Sequence, residues 1–308
     1  MDHSKYRLLV VDDELEIRSL IVEYLQHIEG YTVFEAPNAR EALELLVRQP
    51  VDLVLSDINM PGMKGFELLR EIRINYPDTK RVLITAYNVE DYLELALKHD
   101  IGNIFVKTIP FNFEELSTVL TTLLTGDIFG LDRYFAAPAD RMQFKINSSR
   151  KLEHHAAELV AFVGEIPYAK KLELVIIELL TNAIFYGIRK EPADNKDSWV
   201  HDFTLSDEQA VTVDIAKDND KFAISISDRG GLLKKKDVLY WLNRQTSHDA
   251  DGLPLGLFDS HGRGLFITRK YIDRLIINID QAHRTEMIIM NYYKNSYLGY
   301  KPLYINEL

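Results

Sequence analysis

Five short β-rich runs in the first 125 residues, each followed by a segment of helical period, limit this chain more than any other feature. The runs are 6–11 "YRLLVV", 32–35 "TVFE", 52–56 "DLVLS", 81–85 "RVLIT" and 103–107 "NIFVK". Between and after them, 14–27, 38–48, 64–75, 88–98 and 112–124 space Leu and Ile by three and four, as an amphipathic helix requires. Strict β/α alternation predicts a parallel, doubly wound sheet, in which ligands gather beyond the carboxyl ends of the strands.

The residues at those ends therefore decide the chemistry. The first strand runs into Asp12 and Asp13, the third into Asp57, the fourth into Thr85 and the fifth into Lys107. Three carboxylates at one sheet edge repel each other unless a hard cation joins them, and Mg²⁺ with oxygen ligands suits such a set. Lys107 offers a point charge for a phosphoryl group and Thr85 a hydroxyl donor. One Asp at one strand end would only begin a turn; five such residues at four of the five strand ends predict a site.

Residues 5–125 resemble a two-component response-regulator receiver domain. "VVDDE" at 10–14, "SDINMPGMKGFEL" at 56–68, "LITAY" at 83–87 and "FVK" at 105–107 follow that family's motifs in order and spacing. The resemblance implies that Asp57 is the phosphoacceptor, that Asp12 and Asp13 hold Mg²⁺ with it, and that Thr85 and Lys107 bind the phosphoryl group. It implies an upstream histidine kinase as partner, and Phe105 as the aromatic that reorients with Thr85. Relatives carry Pro directly after the lysine, whereas here "KTIP" delays it to Pro110.

With 308 residues the chain is too long for one ordinary core, and a second domain is expected. Residues 126–142, "GDIFGLDRYFAAPADRM", hold two glycines, a proline and no sustained period, which marks a connector. Its Ile128, Phe129, Leu131, Tyr134 and Phe135 are apolar enough to dock on a neighbouring domain. Beyond it the expectation is a strand at 143–147, helices at 150–163 and 168–188, and a hairpin of strands 210–217 and 221–228 closed by "DND". An irregular segment, a helix over 260–275 and strands at 277–281 and 285–293 complete an α+β layer.

Three motifs stand at its functional positions. In "ELLTNAIFYG" at 178–187, Glu178 and Asn182 lie one turn apart on one helix face. In "DRGG" at 228–231 a strand ends in a carboxylate acceptor, followed by glycines that let a flat base approach the backbone. In "HGRGL" at 261–265 a glycine-rich turn opens a helix, whose free N–H groups favour phosphates.

The span 140–292 resembles the GHKL ATPase family, and its anti-sigma-factor serine/threonine kinase branch most of all, through "IIELLTNAIFYG" and "HGRGLFITRKYID". The resemblance implies ATP and Mg²⁺ as cofactors. Asn182 would ligate the metal, Asp228 and Gly230 would receive adenine, Gly262, Arg263 and Gly264 would cradle phosphates, and Glu178 would be the catalytic base. The expected fold is thus α/β: a doubly wound five-stranded parallel receiver domain at 1–125, a connector at 126–142 and an α+β GHKL (Bergerat-type) ATP-binding domain at 143–308. Where relatives show Asp-x-Gly-x-Gly this chain has "DRGG", and an insertion, "RKEPADNKDSWVHDFTLSDEQ", fills 189–209. His154 and His155 stand where the serine kinases carry an Arg.

The function these readings predict is phosphorylation of Asp57 controlling an ATP-dependent serine/threonine kinase in bacterial partner switching. The kinase would act on an anti-sigma antagonist. The alternative is an ATP-holding module that sequesters a sigma factor without transferring phosphate, and a homodimer fits either. A hybrid histidine kinase would need a phosphorylated histidine in this chain. The net charge of −11 argues against nucleic acid as a partner, and no apolar run approaches the length of a membrane span. Together with the absence of cysteine, this sets a cytoplasmic location as the expectation. The histidines show no zinc-ligand spacing. The tyrosine-rich tail, 291–308, is expected to pack on its parent domain or to make a partner contact.

Overall fold

The computed structural model describes residues 3–135, 139–150, 152–189, 204–247, 255, 263–294 and 296–308, with only the main chain of Arg263. The chain divides into two compact units, Met1–Ile128 with Tyr297–Tyr304, and Phe129–Ser296 with Ile305–Leu308.

In the first unit, β1 (Arg7–Val11), β2 (Thr32–Ala36), β3 (Leu53–Asp57), β4 (Lys80–Thr85) and β5 (Asn103–Val106) form a parallel sheet in the order β2-β1-β3-β4-β5. The order reverses on either side of β1 and β3, the switch point at which ligands collect in doubly wound sheets. Both β3 and β5 are buried along their whole length, as a sheet covered on both faces demands. Helices α1 (Leu15–Glu23), α2 (Ala39–Arg48), α3 (Gly65–Asn75), α4 (Leu93–His99) and α5 (Phe113–Thr125) alternate with the strands. Asn38 and Asn112 start α2 and α5 by accepting the N–H groups of Glu41 at 3.0 Å and Glu115 at 3.1 Å. Two segments read as single helices change pitch: Tyr24–Ile28 is π-helical after α1, and Val89–Tyr92 is a 3₁₀ turn before α4. Residues 297–304 add an antiparallel segment beside β5, pairing Leu303 with Ile104 and Tyr304 with Asn103.

In the second unit, β6 (Asp140–Ile146), β7 (Val211–Lys217), β8 (Lys221–Asp228), β9 (Arg274–Asp280) and β10 (Arg284–Tyr292) form an antiparallel sheet in the order β9-β10-β8-β7-β6. The "DND" hairpin closes as an Asx turn, Asp218 Oδ1 accepting from the N–H of Asp220 at 2.8 Å and of Lys221 at 2.9 Å. Helices α6 (Leu152–Val163) and α7 (Ala169–Thr181) pack together, and α9 (Arg263–Tyr271) packs on both α7 and α8 (Lys235–Thr246). After α7 the helix widens into a π-helical segment, Asn182–Ile188.

Three expectations need correction. The segment read as irregular contains α8, whose only buried side chains, Val238, Leu239 and Leu242, make a stripe too narrow to stand out beside "KKK". Strand β6 begins at Asp140, inside the stretch read as connector. The boundary of 143–308 also differs: part of the tyrosine-rich tail, 297–304, belongs to the first unit, and β11 (Leu303–Glu307) is a strand where none was expected. Within the second unit Leu308 N–H donates to Ile279 C=O at 3.0 Å and Asn306 Nδ2 to Asn278 Oδ1 at 2.8 Å. Among the described residues, no helix is long and apolar enough to cross a membrane.

Candidate functional site

In the first unit the strand ends bring Asp12, Asp57, Thr85 and Lys107 together. Lys107 Nζ lies 2.7 Å from Asp57 Oδ1, 2.9 Å from Asp12 Oδ2 and 3.6 Å from Glu14 Oε1. Asp57 Oδ2 accepts the N–H of Asn59 at 2.6 Å, and Asp12 Oδ1 accepts that of Glu14 at 2.9 Å. Asp12, Asp57 and Thr85 are buried, while Asp13 stands exposed beside them. Thr85 Oγ1 accepts from Tyr87 N–H at 3.0 Å, and its C=O accepts from Lys107 N–H at 2.8 Å, so β4 and β5 hold their last residues in register.

The two partners of this ion pair shift in the same direction. Burial favours the neutral amine of Lys107, yet Asp57 and Asp12 outweigh it and raise its pKa. Burial likewise raises the Asp12 carboxyl, Lys107 opposes this, and repulsion from Asp57 adds to it. Both follow from the charge count: one ammonium serves two buried carboxylates, and the surplus is negative. That surplus, with hard oxygen donors, suits a cation that takes one or two carboxylates and keeps several waters, as Mg²⁺ does. Yet Asp12, Asp13 and Asp57 are not gathered into a cage; among the described residues no three acidic or imidazole groups are so placed.

Arg18, Asn59 and Gly65 also belong to this site, and no local sequence pattern assigns them a part in it. Arg18, buried on α1, donates to Asp12 C=O at 2.6 Å and pairs with Glu35 at 3.0 Å. Asn59 Nδ2 donates to Tyr92 Oη at 2.7 Å. Gly65 is there because a side chain would not fit: a Cβ would strike Asp57 C=O and come within 3.0 Å of Leu83 Cδ2. Phe105 is buried on β5, its ring centroid 5.5 Å from that of Phe111. In "KTIP" the Ile109–Pro110 bond is cis.

In the second unit, glycines seat the three motifs. A Cβ on Gly264, in the first turn of α9, would lie 2.9 Å from Glu178 Oε2 and 3.4 Å from Asn182 Nδ2. A Cβ on Gly187 would lie 2.6 to 2.8 Å from the Asp228 carboxylate, and one on Gly230 would strike Gly187 C=O. Glu178 and Asn182 are thus beside the start of α9, while Asp228 and Gly230 are beside Gly187, at the other end of the π-helical segment. Gly187 closes "ELLTNAIFYG", and nothing in the local sequence marks its part in the site. A widened helix turn is a recurrent device at functional sites. Gly262 and the Arg263 side chain lie outside the described residues.

Asp228 is 5% exposed, and burial pushes its carboxyl up to about 6 against the opposing hydrogen bonds from the N–H groups of Gly230 and Gly231. Its Oδ1 accepts from Gly230 at 2.8 Å. Glu178 and Asn182 are half-buried, and neither side chain hydrogen-bonds within the described residues. Burial, with help from Glu178, pushes the Tyr186 phenol up to about 12. His154 and His155 both pair with Glu158, at 3.5 and 3.1 Å, and His155 stacks on Phe144.

A family model described as the response regulator receiver domain matches residues 8–121. The chain is similar to sporulation initiation phosphotransferase F of Bacillus subtilis (strain 168), at 33% identity over 110 residues that cover 36% of this chain and 86% of that protein. It is 36% identical over 121 residues to response regulator protein PilR of Pseudomonas aeruginosa, covering 39% of this chain but only 26% of PilR. Among solved structures, response regulator protein TrrA from Thermotoga maritima, in complex with Mg²⁺-BeF, is 42% identical. That match covers 39% of this chain and 99% of that one with a TM-score of 0.35.

Proposed function

Because the chain belongs, through residues 8–121, to the response regulator receiver family, we propose that Asp57 accepts a phosphoryl group from an upstream histidine kinase and thereby controls an ATP-binding second unit. The observation that carries the reading is the Asp57 carboxylate at the end of β3, 2.7 Å from the Lys107 ammonium and held from the other side by Asn59 N–H. In the transfer an Asp57 oxygen bonds to phosphorus, the P–N bond to the donor imidazole breaks, and that imidazole is released. Lys107 and the Thr85 hydroxyl meet the charge on the phosphoryl oxygens. Asp12, Asp13 and Asp57 would hold Mg²⁺, which supplies positive charge to the transferring group. Incubation with acetyl phosphate should add one phosphoryl mass to the protein and none to Asp57→Asn. Equal labelling of the two would end the assignment.

For the second unit we propose ATP with Mg²⁺ as ligands. Asn182 would ligate the metal, Asp228 and Gly230 would take the adenine, the turn of Gly262, Arg263 and Gly264 would receive the phosphates, and Glu178 would be general base. Support comes from the glycine contacts that gather these motifs and from a buried acceptor, Asp228, whose carboxylate has lone pairs for a further N–H donor beyond those of Gly230 and Gly231. The reaction would be transfer to a Ser or Thr of a small anti-sigma antagonist. Labelled ATP with candidate antagonists tests it; equal transfer by wild type and Glu178→Ala would remove Glu178 as base.

One observation favours a second reading, an ATP-holding module that sequesters a sigma factor or other regulator. Glu178 Oε2 sits against the first turn of α9, where a carboxylate stabilises the helix dipole and needs no catalytic duty. Nucleotide binding without turnover in the presence of partners would support that reading.

A further inference from the structure

We propose that residues 297–304 are a strap that senses the state of the phosphoacceptor site by holding the loop immediately after Lys107. The inference rests on the reading of Asp57 as phosphoacceptor. Strand β5 pairs with β4 on one side only, and its other edge would be an open row of N–H and C=O groups. The chain covers that edge with its own distant segment. Leu303 and Tyr304 pair with Ile104 and Asn103 and are buried, and Tyr304 Oη donates to Glu115 Oε1 at 2.8 Å.

At the other end the strap grips the loop by main chain. Ile109 N–H donates to Leu298 C=O at 2.8 Å, and Leu298 N–H donates to Ile109 C=O at 3.0 Å. The Leu298 side chain is 57% exposed, so packing contributes little to this grip. Gly299 permits the approach. Its φ of +154° is one that L side chains rarely adopt, and a Cβ would come within 3.3 Å of Thr108 Cγ2.

Only Thr108 separates the gripped residue from Lys107, whose ammonium is shared between Asp57 and Asp12. A phosphoryl group on Asp57 brings new negative oxygens that redraw this sharing. The main chain carrying Lys107 shifts with it, and the paired bonds between Ile109 and Leu298 loosen, while the buried pairing at 303 and 304 holds. The strap thus has a fixed end on β5 and a sensitive end at Ile109.

Residue-resolved amide exchange on the full chain tests this, with phosphorylation of Asp57 verified by mass on the same sample. Phosphorylation should lower protection of the Ile109 and Leu298 amides by about tenfold or more, with Asp57→Asn unresponsive to the same treatment. Leu298→Pro, which removes one donor at an exposed position, should bring Ile109 to the loosened level without phosphate. Unchanged protection in a phosphorylated sample, or an Ile109 amide indifferent to Leu298→Pro, overturns the strap alone. Failure of Asp57 to take phosphate overturns the underlying reading and the strap with it.

Discussion

The two candidate sites solve the problem of buried charge in opposite ways. Around Asp57 the chain supplies its own counter-charge, with Lys107 between two carboxylates and main-chain N–H groups on their remaining oxygens. Around Asp228, among the described residues, the opposing groups are two main-chain N–H groups, and the carboxyl stays raised to about 6. The first site is bonded together before any ligand arrives. The second is a frame in which Gly187, Gly230 and Gly264 remove side chains so that other groups can come close. A site of the first kind depends on its charges for stability, whereas one of the second kind depends on its empty volumes.

Lys107 gives the sharpest way to break this contrast. Removing the one ammonium leaves Asp12 and Asp57 buried and unpaired, so Lys107→Met should cost about 3–5 kcal/mol. Urea unfolding of the variant checks it. A loss under about 1 kcal/mol would mean that water already stabilises the carboxylates and that the site is less self-contained than its distances imply.

Asp228 should show the opposite dependence, on pH. Its native pKa of about 6 lies above the ordinary 3.8, so the folded protein holds that proton more tightly than the unfolded chain. Stability therefore falls as pH rises from about 4 to about 6, by about 3 kcal/mol in total, and then levels. Asp228→Asn should abolish this slope. Lys107, whose pKa is raised, keeps its contribution throughout that window and loses it only above the ordinary lysine range. If Asp228 accepts an amino group, affinity for the nucleotide rises with pH through about 6. Calorimetric titration at pH 5 and 7.5 reads this directly.

The contrast also explains what could be read in the sequence. The first site was legible because each of its groups stands at or just past the end of a short, apolar, β-rich run. Arg18 was not, since an Arg within an amphipathic helix reads as solvated until the fold buries it against Asp12 C=O. In the second unit Glu178, Asn182, Asp228 and Gly264 were legible as motifs, but the part played by Gly187 was not. Its reason is the Asp228 carboxylate, 41 residues later in the chain. Helix α8 and the placement of 297–304 escaped for a related cause. A narrow apolar stripe and a short edge pairing carry little local pattern, and only tertiary contact fixes them.

Gly230 tests the empty-volume half of the contrast. A Cβ there strikes Gly187 C=O and lies 3.1 Å from Asp228 Oδ1, and both neighbours are held by the main chain or by burial. Gly230→Ala should cost about 1–3 kcal/mol, the usual penalty of overpacking, and weaken nucleotide binding beyond what the stability loss explains. Thermal unfolding with and without ATP separates the two. A fully stable variant would place the flexibility in Gly187 rather than in the frame.

The smallest expected effect is at Glu178, and its smallness is informative. A residue kept for packing or charge pairing should be missed when it is altered. Glu178, however, is half-buried, makes no side-chain hydrogen bond within the described residues, and has the α9 terminus as the favourable partner of its charge there, while the Tyr186 phenol beside it stays neutral. Glu178→Gln keeps the shape and removes the charge, so its cost is bounded by the helix-dipole contribution, about 0.3–1 kcal/mol. Denaturation and phosphotransfer should be measured on the same preparation. A change within that bound, together with a large fall in transfer, makes the carboxylate a base that the fold does not need. A cost of several kcal/mol would instead make Glu178 part of the scaffold, and the second site would then resemble the first in depending on its charges.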